Sequence, residues 1–434
     1  MISRRNYFLM WSILVNLLFA CKKEKSDHEP PVITISSPVE NQTFQVNDDV
    51  LVKGTITDAS SLARASITLL NAQRVPVHTT LPLDVSSNEI EINSSYLLDN
   101  IHLETGAYQL CIFASDGKND AAAYVDIQII GVPRMLKKIL VASRPNTSQT
   151  KISEVDTSGM FISYTNFPGD HLEFLVNSYF QELLHCGSFT GNFTGININN
   201  MSVVLTVSCV PSSTVPYFTG FYAMNNHYYI SFYNEQIRGY DHTGNIIYNA
   251  AAMNGYVANH IFINDQHLIA EEQHKLNNDQ KLVCYYPTGS IEQSCSLSQD
   301  VVSFCERDNT HVMVFGNKAG QGLIQEYDRV ANNIWNSYPY SLANGMMNCA
   351  VKLDADTYLL AFSNGTICKY VYSSGSVTPY LTGYTAIQLV LDELNNTLYV
   401  VEKNKITVCN AQGKPMRTVN SADELVALGL LYNR

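Results

Sequence analysis

Glu271 and Glu272 stand side by side, and His260, His267, His274 and His311 recur around them. Acid–base or metal chemistry is therefore the first question the chain raises. Spacing answers against both. Adjacent residues of a strand point to opposite faces, so Glu271 and Glu272 do not converge as an acid–base pair. The four histidines lie in neighbouring repeat units without the short spacings of a metal site. No Gly-x-Ser-x-Gly, His-Glu-x-x-His, phosphate-binding loop or Cys-x-x-Cys occurs. The residues assign no catalytic group and no metal, and they call for no cofactor.

Cysteine is the other reactive type, with ten in the chain. Cys21 stands apart at the end of an apolar run. Among the rest, Cys284 and Cys295 flank a turn centred between Gly289 and Ser290. A symmetric hairpin there puts them opposite one another as a possible disulfide. Cys111, Cys186, Cys209, Cys305, Cys349, Cys368 and Cys409 sit in apolar strands and read as small core residues.

What positions these residues is a repeated unit. Arg238-Gly239-Tyr240-Asp241-His242-Thr243-Gly244-Asn245-Ile246-Ile247 reads as strand, polar turn closed by Gly244, and returning strand. Looser copies end at Gly159, Asn200, Gly289, Asn332, Gly375 and Gly413, so the landmarks step by 41, 44, 45, 43, 43 and 38 residues. A second feature keeps phase. Asn226-His227-Tyr228, Asp265-Gln266-His267, Asn309-Thr310-His311, Asp356-Thr357-Tyr358 and Asn396-Thr397-Leu398 each open a middle strand. A period near 42 with one hairpin turn per unit is the pattern of a β-propeller blade.

The expected propeller spans residues 136–434. Seven blades fit best, and the degenerate Asn199-Asn200 unit leaves six or eight open. Its first unit has three strands, near 138–142, 151–155 and 160–164. The apolar tail Glu424-Leu425-Val426-Ala427-Leu428-Gly429-Leu430-Leu431-Tyr432 supplies the fourth and closes the ring. In period and strand pattern this half resembles seven-bladed propellers of the WD40 and NHL-like kind. No Trp-Asp dipeptide occurs, so the resemblance implies an architecture and carries no functional residues over.

Binding usually lives on loops carried by a rigid scaffold. The turns 273–280 and 316–322 read as long loops on one face of neighbouring blades, bringing His274, Lys275 and Lys318. On the same face, connections between blades carry Tyr217, Tyr256, Tyr338, Tyr340, Tyr380 and Tyr384. Tyrosine offers rigid contact area with a polar tip. The same rings also suit packing between blades.

Before the propeller, residues 31–132 hold short alternating strands such as Val50–Ile56 and Tyr108–Ala114, separated by Pro, Gly, Asn and Asp. About seven strands in roughly 100 residues suggest a β-sandwich. The opening Pro31-Val32-Ile33-Thr34-Ile35-Ser36-Ser37-Pro38 and the close around Asp116-Gly117 resemble bacterial Ig-like and cadherin-like modules. Some of those relatives bind calcium. Here Asp58, Asp116 and Asp126 form no closely spaced oxygen array, and Asp116-Gly117 reads as a turn. The expected role is a spacer.

The N-terminus has Arg4 and Arg5, then an apolar run from Tyr7 to Phe19, shorter than the roughly 20 residues a membrane helix needs. It ends in Leu18-Phe19-Ala20-Cys21, which resembles the lipobox of bacterial lipoproteins. The resemblance implies a signal peptide at 1–20, lipidation at Cys21 and a tether at 21–30 in a Gram-negative cell envelope, most naturally on the outer membrane. Lys22 and Lys23 interrupt any acidic export signal, so surface and periplasmic faces both stand.

The net charge of −12 argues against nucleic acid, whose phosphates need a basic face. With 46% hydrophobic and 15% charged residues the chain has ample material for cores. The expected class is all-β. The preferred function is a non-catalytic, membrane-tethered binding or scaffold protein for a glycan, peptide or partner protein. A polysaccharide lyase or hydrolase and a purely structural envelope protein are the alternatives.

Overall fold

The computed structural model describes residues 29–434 apart from Ser86, Asn225, Ser341 and Ala343. The expected signal peptide, Cys21 and most of the expected tether therefore lie outside the described residues. The described chain divides into two units that part between Pro133 and Arg134, and its regular elements are all strands.

In the first unit a three-stranded and a five-stranded sheet share one core. Alternation decides which side chains enter it. Along Asp49–Thr57, Val50, Val52 and Ile56 are buried while Asp49, Leu51 and Lys53 face out. Ile67, Leu69, Leu110, Ile112 and Ile127 meet them from the other sheet. The Asp116 carboxylate accepts the N–H groups of Asn119 and Lys118, both at 2.6 Å. Those bonds hold it down to about 2. Asp126 accepts from the Gln109 amide at 2.8 Å.

Among the described residues the second unit contains seven four-stranded antiparallel sheets. Six are built from consecutive strands. In the remaining sheet Glu424–Tyr432 pairs with Leu136–Asn146, nearly 300 residues away in sequence. The Met135 N–H also donates to the Asn433 side-chain oxygen at 2.8 Å. Glu424–Tyr432 packs against both Gln388–Asp392 and Glu173–Asn177, the inner strands of its two neighbours. The sheets therefore form a ring: the unit is a β-propeller.

Apolar clusters between sheets hold the ring. Leu140, Ile152 and Leu431 meet Phe174, Leu183 and Ile196 across one junction. Tyr399 and Val401 meet Val141, Leu425 and Leu428 across the next. Every adjacent pair of sheets shares such a cluster.

The repeated polar turn has a local cause. Asp156, Asp241 and Asn410 each accept, through the side-chain oxygen, the N–H four residues on, at 2.8–2.9 Å. Glycine follows three residues after each, in the left-handed region (Gly244 at φ 87°), where a side chain would be strained. The strands leaving the turn then slip register by a bulge, between Gly239 and Tyr240 and between Val408 and Cys409.

Two sequence expectations change here. The same slip occurs between Cys284 and Tyr285, so Cys284 pairs with Gln293 and Cys295 with Leu282. The two cysteines are diagonal rather than opposed, about 7–8 Å apart for such neighbours, beyond disulfide reach. Both are free thiols. The stretch 316–322 is not a long loop either. Strands His311–Lys318 and Gln321–Asp328 are joined by Ala319 and Gly320 alone, both at positive φ.

Candidate functional site in the centre of the ring

The inner strands enclose a cavity of about 790 Å³, within the range of small-molecule sites. A second cavity of about 250 Å³ shares Leu172, Glu173, Phe221 and Tyr222 with it. Glu173 thus lines both.

A tight loop contact positions this wall. The Asp170 carboxylate accepts the N–H groups of Ser188, Phe189, Thr190 and Gly191 at 2.8–3.2 Å. Burial raises its proton affinity, but the four donors outweigh that and bring it down to about 2. Gly187 and Gly191 make the approach feasible, since a Cβ on Gly187 would lie 2.3 Å from the Gly191 Cα. His171, Leu172 and Glu173 follow directly from this anchored residue.

His171 is pushed down to about 4 by burial and by Arg144. Its ring lies 5.5 Å from that of His185, which stacks at 4.8 Å on Phe167. Burial, then His171, pushes His185 to about 3. Both imidazoles are therefore neutral at neutral pH, and His171 Nδ1 and both His185 nitrogens have no partner among the described residues. Burial raises Glu173 to about 7, against the Phe174 N–H and His260, which both favour its charged form.

Beside that wall, on the neighbouring sheet, one carboxylate serves two cations. Glu424 takes the Arg144 guanidinium at 3.1 Å and the Lys403 ammonium at 3.2 Å. Gln388 spends its oxygen on the Leu428 N–H at 2.7 Å, and Asn348 spends its N–H₂ on the Ala386 carbonyl at 3.0 Å. The arrangement offers cationic, amide and titratable groups over an apolar floor, which is the composition of a polar small-molecule pocket.

None of the tyrosines, His274, Lys275 or Lys318 singled out for binding lines either cavity, whereas His260 lines the smaller one and Cys349 the larger. Tyr256, His274 and Lys275 do come together. The Tyr256 hydroxyl donates to Asp279 at 2.6 Å, its ring meets His274 edge-on at 4.9 Å, and Lys275 pairs with Glu235 at 2.7 Å. Tyr338 and Tyr340 form a separate edge-on pair at 5.6 Å. Tyr217 packs against Phe218 and Phe232, and Tyr384 lies under Lys405. Tyr380 donates to the Ala411 carbonyl at 3.2 Å, so its tip reaches a turn on the opposite rim. Lys318 is exposed at a strand end. Glu271 and Glu272 do diverge: Glu271 meets His260 at 2.6 Å, whereas Glu272 takes the Met253 N–H and the Tyr285 hydroxyl. Sequence reasoning missed Arg144, His171, Glu173, Gln388, Lys403 and Glu424. Their one signal is a polar residue at or beside an end of an otherwise apolar strand.

No protein-family model matches the chain, and no curated protein matches it. Solved structures do. A protein from Lactobacillus plantarum aligns over 68% of this chain and 100% of its own, at 14% identity and a TM-score of 0.51. A quinonprotein alcohol dehydrogenase-like protein from Bacteroides thetaiotaomicron aligns over 93% and 99%, at 12% identity and a TM-score of 0.47. The WD40 β-propeller domain of Doa1 aligns over 61% and 85%, at 12% identity and a TM-score of 0.46. At such identities likeness concerns fold alone. The chain is an all-β protein whose second unit is a β-propeller with a polar central cavity.

Proposed function

We propose that this chain is a cell-envelope lipoprotein whose seven-bladed propeller binds a small polar ligand, a glycan or peptide fragment, in its central cavity. In this reading Cys21 carries the lipid in an outer membrane, residues 22–30 are a tether, and the first unit is an Ig-like spacer. The observation that carries the binding role is the 790 Å³ cavity walled by Arg144, Glu173, Gln388 and Glu424 from separate strands. The lipid anchor rests on Leu18-Phe19-Ala20-Cys21. A glycan array probed with the detergent-solubilised full chain tests the first claim. Saturable capture that is lost on filling the cavity by Asn348→Trp, at an exposed lining position, supports it, and capture unaffected by that change refutes it. Labelled fatty acid incorporated by the wild type but not by Cys21→Ser tests the second.

One observation favours an enzymatic alternative acting on polysaccharide. Glu173 is raised to about 7, where a carboxyl exchanges protons efficiently at neutral pH. Turnover of a captured glycan, abolished by Glu173→Gln, distinguishes catalysis from binding.

A further inference from the structure

We infer that the cavity takes a hydroxylated carboxylic acid, of the size and polarity of an acid sugar, with its carboxylate on the exposed edge of Arg144 and Lys403. This rests on the binding role proposed above and names the ligand class for it.

Three observations converge. First, the cations outnumber the carboxylate they share. Glu424 alone serves Arg144 and Lys403, whose side chains remain 39% and 73% exposed. A protein of net charge −12 here presents a locally positive wall. Second, spare hydrogen-bonding capacity around the cavity is donor-rich. Gln388 has committed its oxygen, leaving Nε2, and no hydrogen bond of the Tyr222 hydroxyl is made among the described residues. Asn348 has committed one N–H, leaving the other and an oxygen that suits a ligand hydroxyl. A ligand rich in acceptors with at least one hydroxyl donor matches this set. Third, planar recognition of a carboxylate is what a guanidinium edge does well.

Glu173 then makes uptake depend on pH. Ionised, it repels the ligand; protonated, it becomes a further donor. It faces His260 on Tyr256–Asn264 and Cys186 on Glu182–Cys186, and it shares the cavity with Arg144, His171, Lys403, Glu424 and Cys349. His260 is itself committed to Glu271. With Glu173 near 7, its protonated fraction falls about tenfold between pH 6 and pH 8. His171, held low, stays neutral across that window.

The test is calorimetric titration of the detergent-solubilised full chain with galacturonate and glucuronate, each beside its neutral parent hexose. Expected are uronate binding at least about tenfold tighter than hexose binding, and tightening of roughly tenfold from pH 8 to pH 6. Glu173→Gln should remove most of the pH dependence. Lys403→Gln, at an exposed site where folding is not at stake, should weaken uronate binding about tenfold while hexose binding is unmoved. Equal binding of uronate and hexose overturns the acid preference and leaves a binding cavity. No saturable binding of either overturns both.

Discussion

Ending the chain at Asn420 removes the strand that completes the ring. Leu425, Leu428, Leu430, Leu431 and Tyr432 in that strand are each at most 9% exposed. Burying one such side chain is worth about 1.5–3 kcal/mol, so losing all of them costs about 8–15 kcal/mol. The net stability of a whole domain is only about 5–15 kcal/mol. Truncation should therefore abolish cooperative folding rather than lower its midpoint. Trp335 is a suitable probe, because it lies three sheets from the closing strand and Trp11, the other tryptophan, is removable by Trp11→Phe. Thermal unfolding followed by Trp335 emission should show a sharp transition for the intact chain and a broad slope for the truncated one. A cooperative transition within about 5 °C of the intact protein would sink the reasoning, because it would mean the other sheets hold without the closing strand. Leu431→Ala, fully buried between two sheets, gives a graded version costing about 2–5 kcal/mol.

Other outcomes follow from the same contacts. Asp170→Asn should lower the melting temperature at pH 7. Because the folded carboxyl is depressed to about 2, the stability it confers is present above about pH 4 and is lost as pH falls toward 2, where wild type and variant should converge. Glu173 is raised instead, so the folded state holds a proton that the unfolded state has released. Wild-type stability should decline as pH rises from about 4.5 through 7, and Glu173→Gln should melt higher than wild type at pH 8 but not at pH 4. Alkylation in denaturant without reductant, read by mass spectrometry, should label both Cys284 and Cys295; a linked, unlabelled pair would contradict the diagonal register.

The ring was legible because its signals are local. Asp241 and Gly244, or Asn410 and Gly413, fold their turn with groups at most four residues apart, so the turn repeats wherever they do. The tail's apolar run announced a strand for the same reason. Register was less legible. The bulge beside Cys284 shifts its partner from the expected Cys295 to Gln293, and nothing in residue type marks a bulge. Gly316 and Gly322 suggested a loop, yet they serve close packing inside strands: a Cβ on Gly316 would sit 2.4 Å from the Asp300 carbonyl oxygen. The cavity was hidden altogether. Arg144, Glu173, Gln388 and Glu424 are isolated polar residues far apart in sequence, and only a closed circle gives them a common neighbourhood. Tyrosines drew the eye by number, 26 in all, but several, such as Tyr228, Tyr285 and Tyr327, are fully buried inside the walls.

Pairing the last strand with one of the earliest also dictates an order of events during synthesis. Leu136–Asn146 emerges early and must wait for almost the whole remaining chain before residues 424–432 can reach it. Throughout that wait it offers an unpaired edge, which the tail of a neighbouring molecule fits as well as its own. Crowded nascent chains are thereby exposed to swapped dimers, each molecule lending its end to the other. A chaperone that shields this edge, or slow and dilute synthesis, would favour closure of each chain on itself.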